Sequence, residues 1–218
     1  MDRQSAADRI VTDALRGPIG VGWSPEQALA GEIYGFNSID PRSRSFNLVR
    51  GRLLELKRSR NMRLVGVVSA TPNVGKSFVS ANISASLSRD PQVQTFAVDL
   101  DLRRGSLSNQ FGINPENGLS DYLENGGAFE AYRLEGEGLT VVPTRGGMVH
   151  SAELLASLRA RDMFTAMRKS DPDNLFICDL PPVFANDDAV ATMAIFTSVG
   201  FHGASTVIST IQRFSSSH

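Results

Sequence analysis

The sequence is poor in cysteine, in lysine and in net charge, and each shortage excludes a class of protein. Cys178 is the single cysteine of the 218 residues, so neither an intramolecular disulfide nor a zinc site of several thiolates can form. The formal net charge of -1 gives no overall basic surface of the kind that nucleic-acid binders carry. We therefore expect a protein of the reducing cytoplasm without a nucleic-acid partner.

Long apolar runs are also missing. No stretch reaches the ~18 consecutive apolar residues of a membrane-spanning helix, and the polar start Met1-Asp2-Arg3-Gln4 is unlike a signal peptide. With 41% hydrophobic residues, the chain nevertheless has enough apolar material to bury the core of one globular domain. The sequence predicts a soluble chain with one main domain and shorter appended segments.

Composition divides the chain into three parts. Residues 1–43 are polar and interrupted by glycine and proline, which predicts an N-terminal arm or linker. Residues 44–198 contain the regular apolar patterns and form the predicted domain. Residues 199–218 are predicted to be a divergent or truncated C-terminal segment.

Within the predicted domain, helical and strand patterns alternate. Apolar residues recur at helical spacing in three segments, which run from Phe46 to Leu56, from Ser77 to Ser88 and from Ala152 to Met167. Short buried strands are predicted near 64–68, 95–98, 139–142 and 175–178. This alternation predicts an α/β fold of three layers, a mostly parallel sheet flanked by helices, with ligands at the carboxyl ends of the strands.

One loop between a strand and a helix carries the strongest chemical signal. Residues 70–77 read Ala-Thr-Pro-Asn-Val-Gly-Lys-Ser, and the lysine is one of only three in the chain. Gly75 lets a phosphate approach the backbone, Lys76 supplies a positive charge, and the Ser77 hydroxyl suits Mg²⁺. The segment predicts a P-loop nucleotide site. Its predicted nucleotide-binding residues are Asn73, Val74, Gly75, Lys76, Ser77 and Phe78.

Three carboxylates follow predicted buried strands. Asp99 and Asp101 are two residues apart, so both can project the same way toward a shared cation, and one could accept a proton from an attacking hydroxyl. A solvated turn, with Asp101 paired to Arg103 at the surface, is the alternative. Asp179 precedes two prolines and is predicted to hold Mg²⁺ beside Ser77, with a capping aspartate as the alternative.

These elements, in this order, resemble the Walker A, Walker A′ and Walker B motifs of bacterial tyrosine kinases, a family within the ParA/MinD-like P-loop NTPases. The likeness runs from about Phe46 to Met193 and includes the form Asp-x-Asp-x-Arg at 99–103. It also covers Asn-Gly-Leu-Ser-Asp-Tyr-Leu at 117–123 and Glu-Leu-Leu at 153–155. The similar segments belong to cytoplasmic kinase domains of capsule and exopolysaccharide assembly systems.

The resemblance implies that ATP and Mg²⁺ are the cofactors and that the γ-phosphoryl group of ATP is transferred to protein tyrosine. Lys76, Asp99 and Asp101 would be catalytic, while Arg103 would join the nucleotide-binding residues. Ser77, Asp99 and Asp179 would hold the metal. The implied partners are a membrane-spanning polysaccharide co-polymerase that acts as activator, a partner protein that carries the substrate tyrosine, and further copies of this chain in a homo-oligomer. A membrane-spanning activator also implies recruitment to the inner face of the membrane.

Three features depart from the family pattern. The last residues, 212–218, contain no tyrosine, so autophosphorylation of a tail is not expected. Residues 195–218 match the family's last strand and base-contacting segment poorly. At the positions of its oligomerising Glu-x-x-Arg-x-x-Arg helix, this chain has Arg44, Asn47 and Arg50, of which only the last agrees.

Two other functions stay open beside a tyrosine kinase. The first is a non-catalytic, nucleotide-dependent regulator or scaffold of polysaccharide export, favoured by the missing tyrosine tail. The second is a ParA/MinD-type ATPase, although those proteins carry an additional lysine where this chain has Thr71. A GTPase is disfavoured because the sequence has no Asn-Lys-x-Asp segment for reading the base.

Overall fold

A seven-stranded sheet forms the centre of the computed structural model, which describes residues 3–183 and 205–210. The strands are β1 Ile19–Val21, β2 Leu64–Ser69, β3 Gln94–Asp99, β4 Tyr132–Leu134, β5 Leu139–Val142, β6 Asn174–Asp179 and β7 Ser205–Thr210. Their spatial order is β1-β4-β5-β3-β6-β2-β7. Neighbours run parallel except for the antiparallel pair of β4 and β5.

The helices cover both faces of this sheet. They are α1 Arg3–Arg16, α2 Pro25–Ala30, α3 Arg44–Arg60, α4 Lys76–Leu87, α5 Ser106–Gln110, α6 Leu119–Asn125, α7 Ser151–Ala156 and α8 Leu158–Lys169, with a 3₁₀ turn at Pro41–Ser43. Alternate residues of β2 face opposite ways: Leu64 and Val68 pack with α1 and α8, whereas Val65 and Val67 pack with α3 and α4. The predicted three-layer α/β fold is confirmed.

Strand register brings the acidic strand ends together. The central strand β6 lies between β3 and β2, and Asp179 at its end is the register partner of Asp99 on one side and of Val67 on the other. β2 ends two residues later, at Ser69, where the phosphate loop begins. The carboxyl ends of three neighbouring strands therefore meet at one place, which is where ligands bind in open α/β sheets.

The N-terminal part differs from the predicted arm or linker over 1–43. Helix α1 packs along α8, and β1 adds a strand to the sheet beside β4. The cause is a stripe of buried residues at four-residue spacing, Ala7, Val11 and Leu15, which covers the open end of one face. Residues 3–43 are thus packed as part of the domain.

The helix predicted over 152–167 is two helices. Ser157 has an extended backbone, with ψ of 159°, and its hydroxyl accepts a hydrogen bond from the Ala160 amide at 3.2 Å. A serine cap of this kind begins a new helix, α8, and ends α7. The helix predicted from Phe46 is confirmed and forms part of α3. The four predicted strands are also confirmed, as β2, β3, β5 and β6.

The C-terminal segment contributes one described strand. Residues 205–210 form β7, which pairs in parallel with the whole of β2, so the sheet continues past the predicted boundary at 198. Residues 184–204 and 211–218, and with them most of the segment 195–218 that matches the family poorly, lie outside the described residues. Among the helices that the structure does describe, none combines the length and apolarity required to cross a membrane.

Candidate nucleotide-binding site

The phosphate loop, residues 70–77, turns the chain from β2 into α4 through left-handed backbone. Asn73 and Gly75 have φ angles of 60° and 84°. A Cβ built on Gly75 would meet nothing within 4 Å, so the left-handed conformation, rather than crowding, favours glycine there. Helix α4 begins at Lys76, which leaves the first amides of a long helix directed at the loop, where they attract anions.

Lys76 lies at the floor of the site. Its side chain is 7% exposed, and Nζ lies 2.8 Å from Asp179 Oδ2 and 3.6 Å from Asp101 Oδ2. These contacts are ion pairs, and Nζ makes no hydrogen bond of acceptable geometry within the described chain. A buried ammonium group with unused donor capacity fits a phosphate ligand, because phosphate oxygens would satisfy it.

Asp179 is completely buried and engaged by two serines of α4. Its Oδ2 accepts a hydrogen bond from the Ser77 hydroxyl at 2.6 Å, and its Oδ1 accepts one from the Ser80 hydroxyl at 2.7 Å. Ser80 was missed by the sequence reasoning. A signal existed, because Ser77 and Ser80 are three residues apart and therefore share one face of the helix.

Asp99 is buried as well, but its oxygens are directed into the protein. Oδ2 accepts hydrogen bonds from the amide and the hydroxyl of Ser108, each at 3.0 Å, and Oδ1 accepts one from the Asp101 amide at 3.2 Å. Burial, followed by the nearby charge of Asp179, raises the pKa of Asp99 to about 7. Ser108 was not predicted, and no local pattern indicates it.

Asp101, rather than Asp99, borders open space. A cleft of about 190 Å³ lies over the phosphate loop, lined by Ser69, Pro72, Asn73, Gly75, Lys76, Ser77, Phe78, Asp101, Arg104, Ser106, Gln110 and Pro182. Burial raises the pKa of Asp101, and the adjacent Lys76 opposes this rise. Asp101 is thus a carboxylate that lines the cleft and lies near the ammonium group of Lys76.

The predicted nucleotide residues divide into two groups. Asn73, Gly75, Lys76, Ser77 and Phe78 line the cleft, whereas Val74 and Arg103 are not among its lining residues. Arg103 is exposed, and the neighbouring Arg104 is the arginine of this turn that lines the cleft. Because Arg103 and Arg104 are adjacent in the sequence, no local pattern indicates which of the two borders the cleft.

The fit of a magnesium ion rests on oxygen donors. Among the residues that the structure describes, no group of three or more His, Cys, Asp or Glu side chains is arranged as a metal site. Mg²⁺, however, is commonly held by one or two protein oxygens together with waters and substrate phosphates. The hydroxyl of Ser77, 2.6 Å from the carboxylate of Asp179, provides such a pair next to the loop.

Comparisons of sequence find proteins named tyrosine-protein kinase. No family model matches the chain. The tyrosine-protein kinase etk of Escherichia coli (strain K12) is 34% identical over 155 residues, covering 67% of this chain and 21% of the relative. The putative tyrosine-protein kinase in the cps region of Klebsiella pneumoniae is 35% identical over 128 residues, covering 58% and 17%. The chain spans about a fifth of the length of the curated relatives that it matches.

Comparisons of structure agree on the fold. The kinase domain of Escherichia coli tyrosine kinase ETK superposes with a TM-score of 0.64 at 21% identity, covering 92% of this chain and 91% of that one. The chimerical protein CapA2B2 gives 0.69 at 21% identity, covering 95% and 87%. The septum site-determining protein MinD of Pyrococcus horikoshii, complexed with Mg-ADP, gives 0.51 at 23% identity, covering 62% and 54%.

The three ordered motifs, the relatives and the shared fold point the same way. The sequence carries the phosphate loop, the Asp99 and Asp101 pair and Asp179 in that order along the chain. The chain belongs to the bacterial tyrosine kinase family within the P-loop NTPases.

Proposed function

We propose that this chain is an ATP-dependent protein-tyrosine kinase of capsule or exopolysaccharide assembly. One observation carries the proposal: Lys76 Nζ lies within 4 Å of both Asp101 and Asp179, and Lys76 and Asp101 line a cleft at the start of helix α4. Relatives named tyrosine-protein kinase, which are 34% and 30% identical to this chain over 155 and 149 residues, support the choice of reaction.

The phosphate chain of ATP would lie along the loop. The backbone amides of 73–77 and the N-terminus of α4 would hold its anionic oxygens. Lys76 would exchange its ion pair with Asp179 for the β- and γ-phosphates, since Nζ has donors to spare. Ser77 and Asp179 would hold Mg²⁺, with Asp99 behind them, and the bound ion would neutralise charge on the phosphates.

Asp101 is the carboxylate best placed to act on the incoming tyrosine. It lines the cleft, whereas Asp99 is committed to Ser108. The tyrosine oxygen would attack the γ-phosphorus while the bond to the leaving ADP oxygen breaks, and Asp101 would accept the phenolic proton. The raised pKa of Asp101 makes it a better proton acceptor than an ordinary aspartate.

The substrate tyrosine is proposed to come from another protein. Tyr122 is 1% exposed in the core, and the Tyr132 hydroxyl donates a hydrogen bond to Glu130 at 2.5 Å. We propose that a membrane-spanning activator of the polysaccharide system recruits this chain to the inner face of the membrane and that homo-oligomerisation presents neighbouring sites to substrate.

A phosphorylation assay tests the proposal. The protein would be incubated with ATP, Mg²⁺ and a fragment of the activator, and phosphotyrosine would be measured by mass spectrometry. Wild type is expected to produce phosphotyrosine, whereas Lys76→Met and Ser77→Ala are expected to lose it. Equal phosphotyrosine from wild type and both variants would show that this cleft does not catalyse the reaction.

A non-catalytic regulator is the second candidate, and one observation favours it. Both oxygens of Asp99, half of the Asp-x-Asp pair, are occupied by hydrogen bonds inside the protein. Calorimetry with ATP and ADP, with and without Mg²⁺, would compare wild type with Ser77→Ala. Tight, Ser77-dependent ATP binding without phosphotransfer would select the regulator.

A further inference from the structure

We propose that Arg104 recognises the terminal phosphate of the nucleotide, acting as a latch that leaves Asn73 when a triphosphate binds. This inference rests on the proposed function, because it takes the cleft as an ATP site. One guanidinium nitrogen, NH1, donates a hydrogen bond to Asn73 Oδ1 at 2.7 Å. The bond joins the turn after β3 to the phosphate loop, and both residues line the cleft.

The backbone fixes the base of the Arg104 side chain. The Asp101 carbonyl accepts hydrogen bonds from the Arg104 amide at 3.0 Å and from the Gly105 amide at 2.9 Å. Gly105 closes this turn with a left-handed φ of 61°. On the other side, the Arg103 carbonyl accepts a hydrogen bond from the Gly147 amide at 2.9 Å. The two arginines therefore start from a rigid turn, and Arg104 is the one that borders the cleft.

The latch can be opened at little cost. The hydrogen bond between Arg104 and Asn73 is exposed to solvent, and its acceptor is a neutral amide oxygen. A phosphate oxygen is charged, and guanidinium groups bind phosphates through charge-assisted, often paired hydrogen bonds that are stronger than neutral ones. A phosphate that reaches the cleft would therefore displace the Asn73 side chain from Arg104.

The position of Arg104 selects the end of the phosphate chain. Lys76 contacts Asp101 at the floor of the cleft, with Nζ 3.6 Å from Oδ2. Arg104 is three residues beyond Asp101, is exposed, and lines the same cleft. The phosphoryl group that is transferred must lie near Asp101, so it is the one that Arg104 can reach. A diphosphate lacks that group and would leave the latch closed.

Calorimetry with Mg-ATP and Mg-ADP tests this role. Arg104→Gln is expected to weaken ATP binding about tenfold, the typical value of a charged hydrogen bond, and to leave ADP binding unchanged. Arg103→Gln removes the same charge from the adjacent position and is expected to keep the preference for ATP. Arg52→Gln, on exposed α3, controls for net charge.

Asn73→Gly separates recognition from bracing of the loop. Glycine keeps the left-handed backbone of Asn73 and removes the acceptor that competes for Arg104. This variant is expected to increase the preference for ATP over ADP, because Arg104 is then available to the terminal phosphate. Equal losses of ATP and ADP affinity in Asn73→Gly and Arg104→Gln would mean that Arg104 only braces the loop.

Two further results would overturn the latch. One is ATP binding by Arg104→Gln that equals wild type; the other is loss of the ATP preference in Arg103→Gln instead. A wild-type chain that binds neither nucleotide would refute the latch together with the proposed kinase activity. A wild-type chain that binds ATP through Arg104 but transfers no phosphate would refute the kinase activity alone.

Discussion

Lys76 Nζ lies 2.8 Å from Asp179 Oδ2 at the junction of β2, β6 and α4, and both side chains are almost completely buried. A second carboxylate, Asp101, lies 3.6 Å from the same nitrogen. Charges removed from water in this way are tolerated only while they compensate one another. The floor of the site therefore holds one buried ammonium group between two carboxylates, and each substitution there is expected to change stability as well as binding.

Lys76→Met is expected to lower the free energy of unfolding by ~3 kcal/mol at neutral pH, because it leaves buried carboxylates without their cation. Urea unfolding of Lys76→Met, Asp179→Asn and the double variant would give the coupling between the two residues. The double variant is expected to be more stable than the sum of the single losses implies. Strict additivity would show that the ion pair contributes nothing to folding.

Asp99 is expected to make stability depend on pH. Burial raises its pKa to about 7 in the folded protein, so the folded state binds the proton more tightly than the unfolded chain does. The contribution of Asp99 to the free energy of unfolding is fully present below the pKa that it has in the unfolded chain, about 4, and is lost as pH rises through about 7.

Asp99→Asn removes this titration, so the stability of the variant relative to wild type is expected to rise from acid pH to above neutral pH. Urea unfolding of both proteins over a series of pH values would measure it. Asp13→Asn, at an exposed site on α1, provides a matched charge control whose curve is expected to run parallel to that of wild type. A constant difference between Asp99→Asn and wild type at all pH values would contradict the assignment.

Gly35 and Gly51 are expected to respond oppositely to alanine. A Cβ on Gly35 would lie 2.2 Å from the Asn82 carbonyl oxygen and 2.8 Å from the Ser86 amide nitrogen, both backbone atoms of α4. Gly35→Ala should therefore destabilise by about 1–3 kcal/mol, as overpacking does. Gly51 is exposed within α3 with nothing within 4 Å, so alanine there should stabilise by about 0.5–1 kcal/mol. Thermal unfolding of both variants would measure the two changes in stability. Equal changes would contradict the close contact between Gly35 and the backbone of α4.

Asn82 attaches the N-terminal segment to the helix that follows the phosphate loop. Its Oδ1 accepts hydrogen bonds from the amides of Tyr34 at 2.7 Å and Gly35 at 3.0 Å, and its Nδ2 donates to the carbonyls of Glu32 at 3.0 Å and Phe78 at 2.9 Å. Asn82→Ala is expected to cost about 2–4 kcal/mol, because it leaves several of these groups unpaired.

Hydrogen exchange would locate that loss. The amides of Tyr34 and Gly35 are expected to exchange faster in Asn82→Ala than in wild type, while those of the distant strand β5 keep their protection. Asn109→Ala, at an exposed position of α5, is the matched control and is expected to change little. Unchanged exchange at Tyr34 and Gly35 in Asn82→Ala would show that the segment is held by other contacts.

Much of the site could be predicted because its signals are local. The left-handed turn at Gly75, the lysine and serine after it and the helix that they begin are encoded in consecutive residues. Asp179 at the end of a buried strand followed by prolines is local as well. The N-terminal strand β1 escaped prediction because its three residues are too short to show a period.

Local sequence patterns are enough to predict the phosphate loop, the acidic strand ends and the alternation of strands and helices that gives a parallel sheet. Three features become visible only in the folded chain: Asp101 and Arg104 border the cleft, Asp99 accepts hydrogen bonds from Ser108, and Asn82 holds the N-terminal segment. The physical reason is that a motif depends on neighbours along the chain. Which side chains meet across a cleft depends instead on strand order, register and the turns between elements.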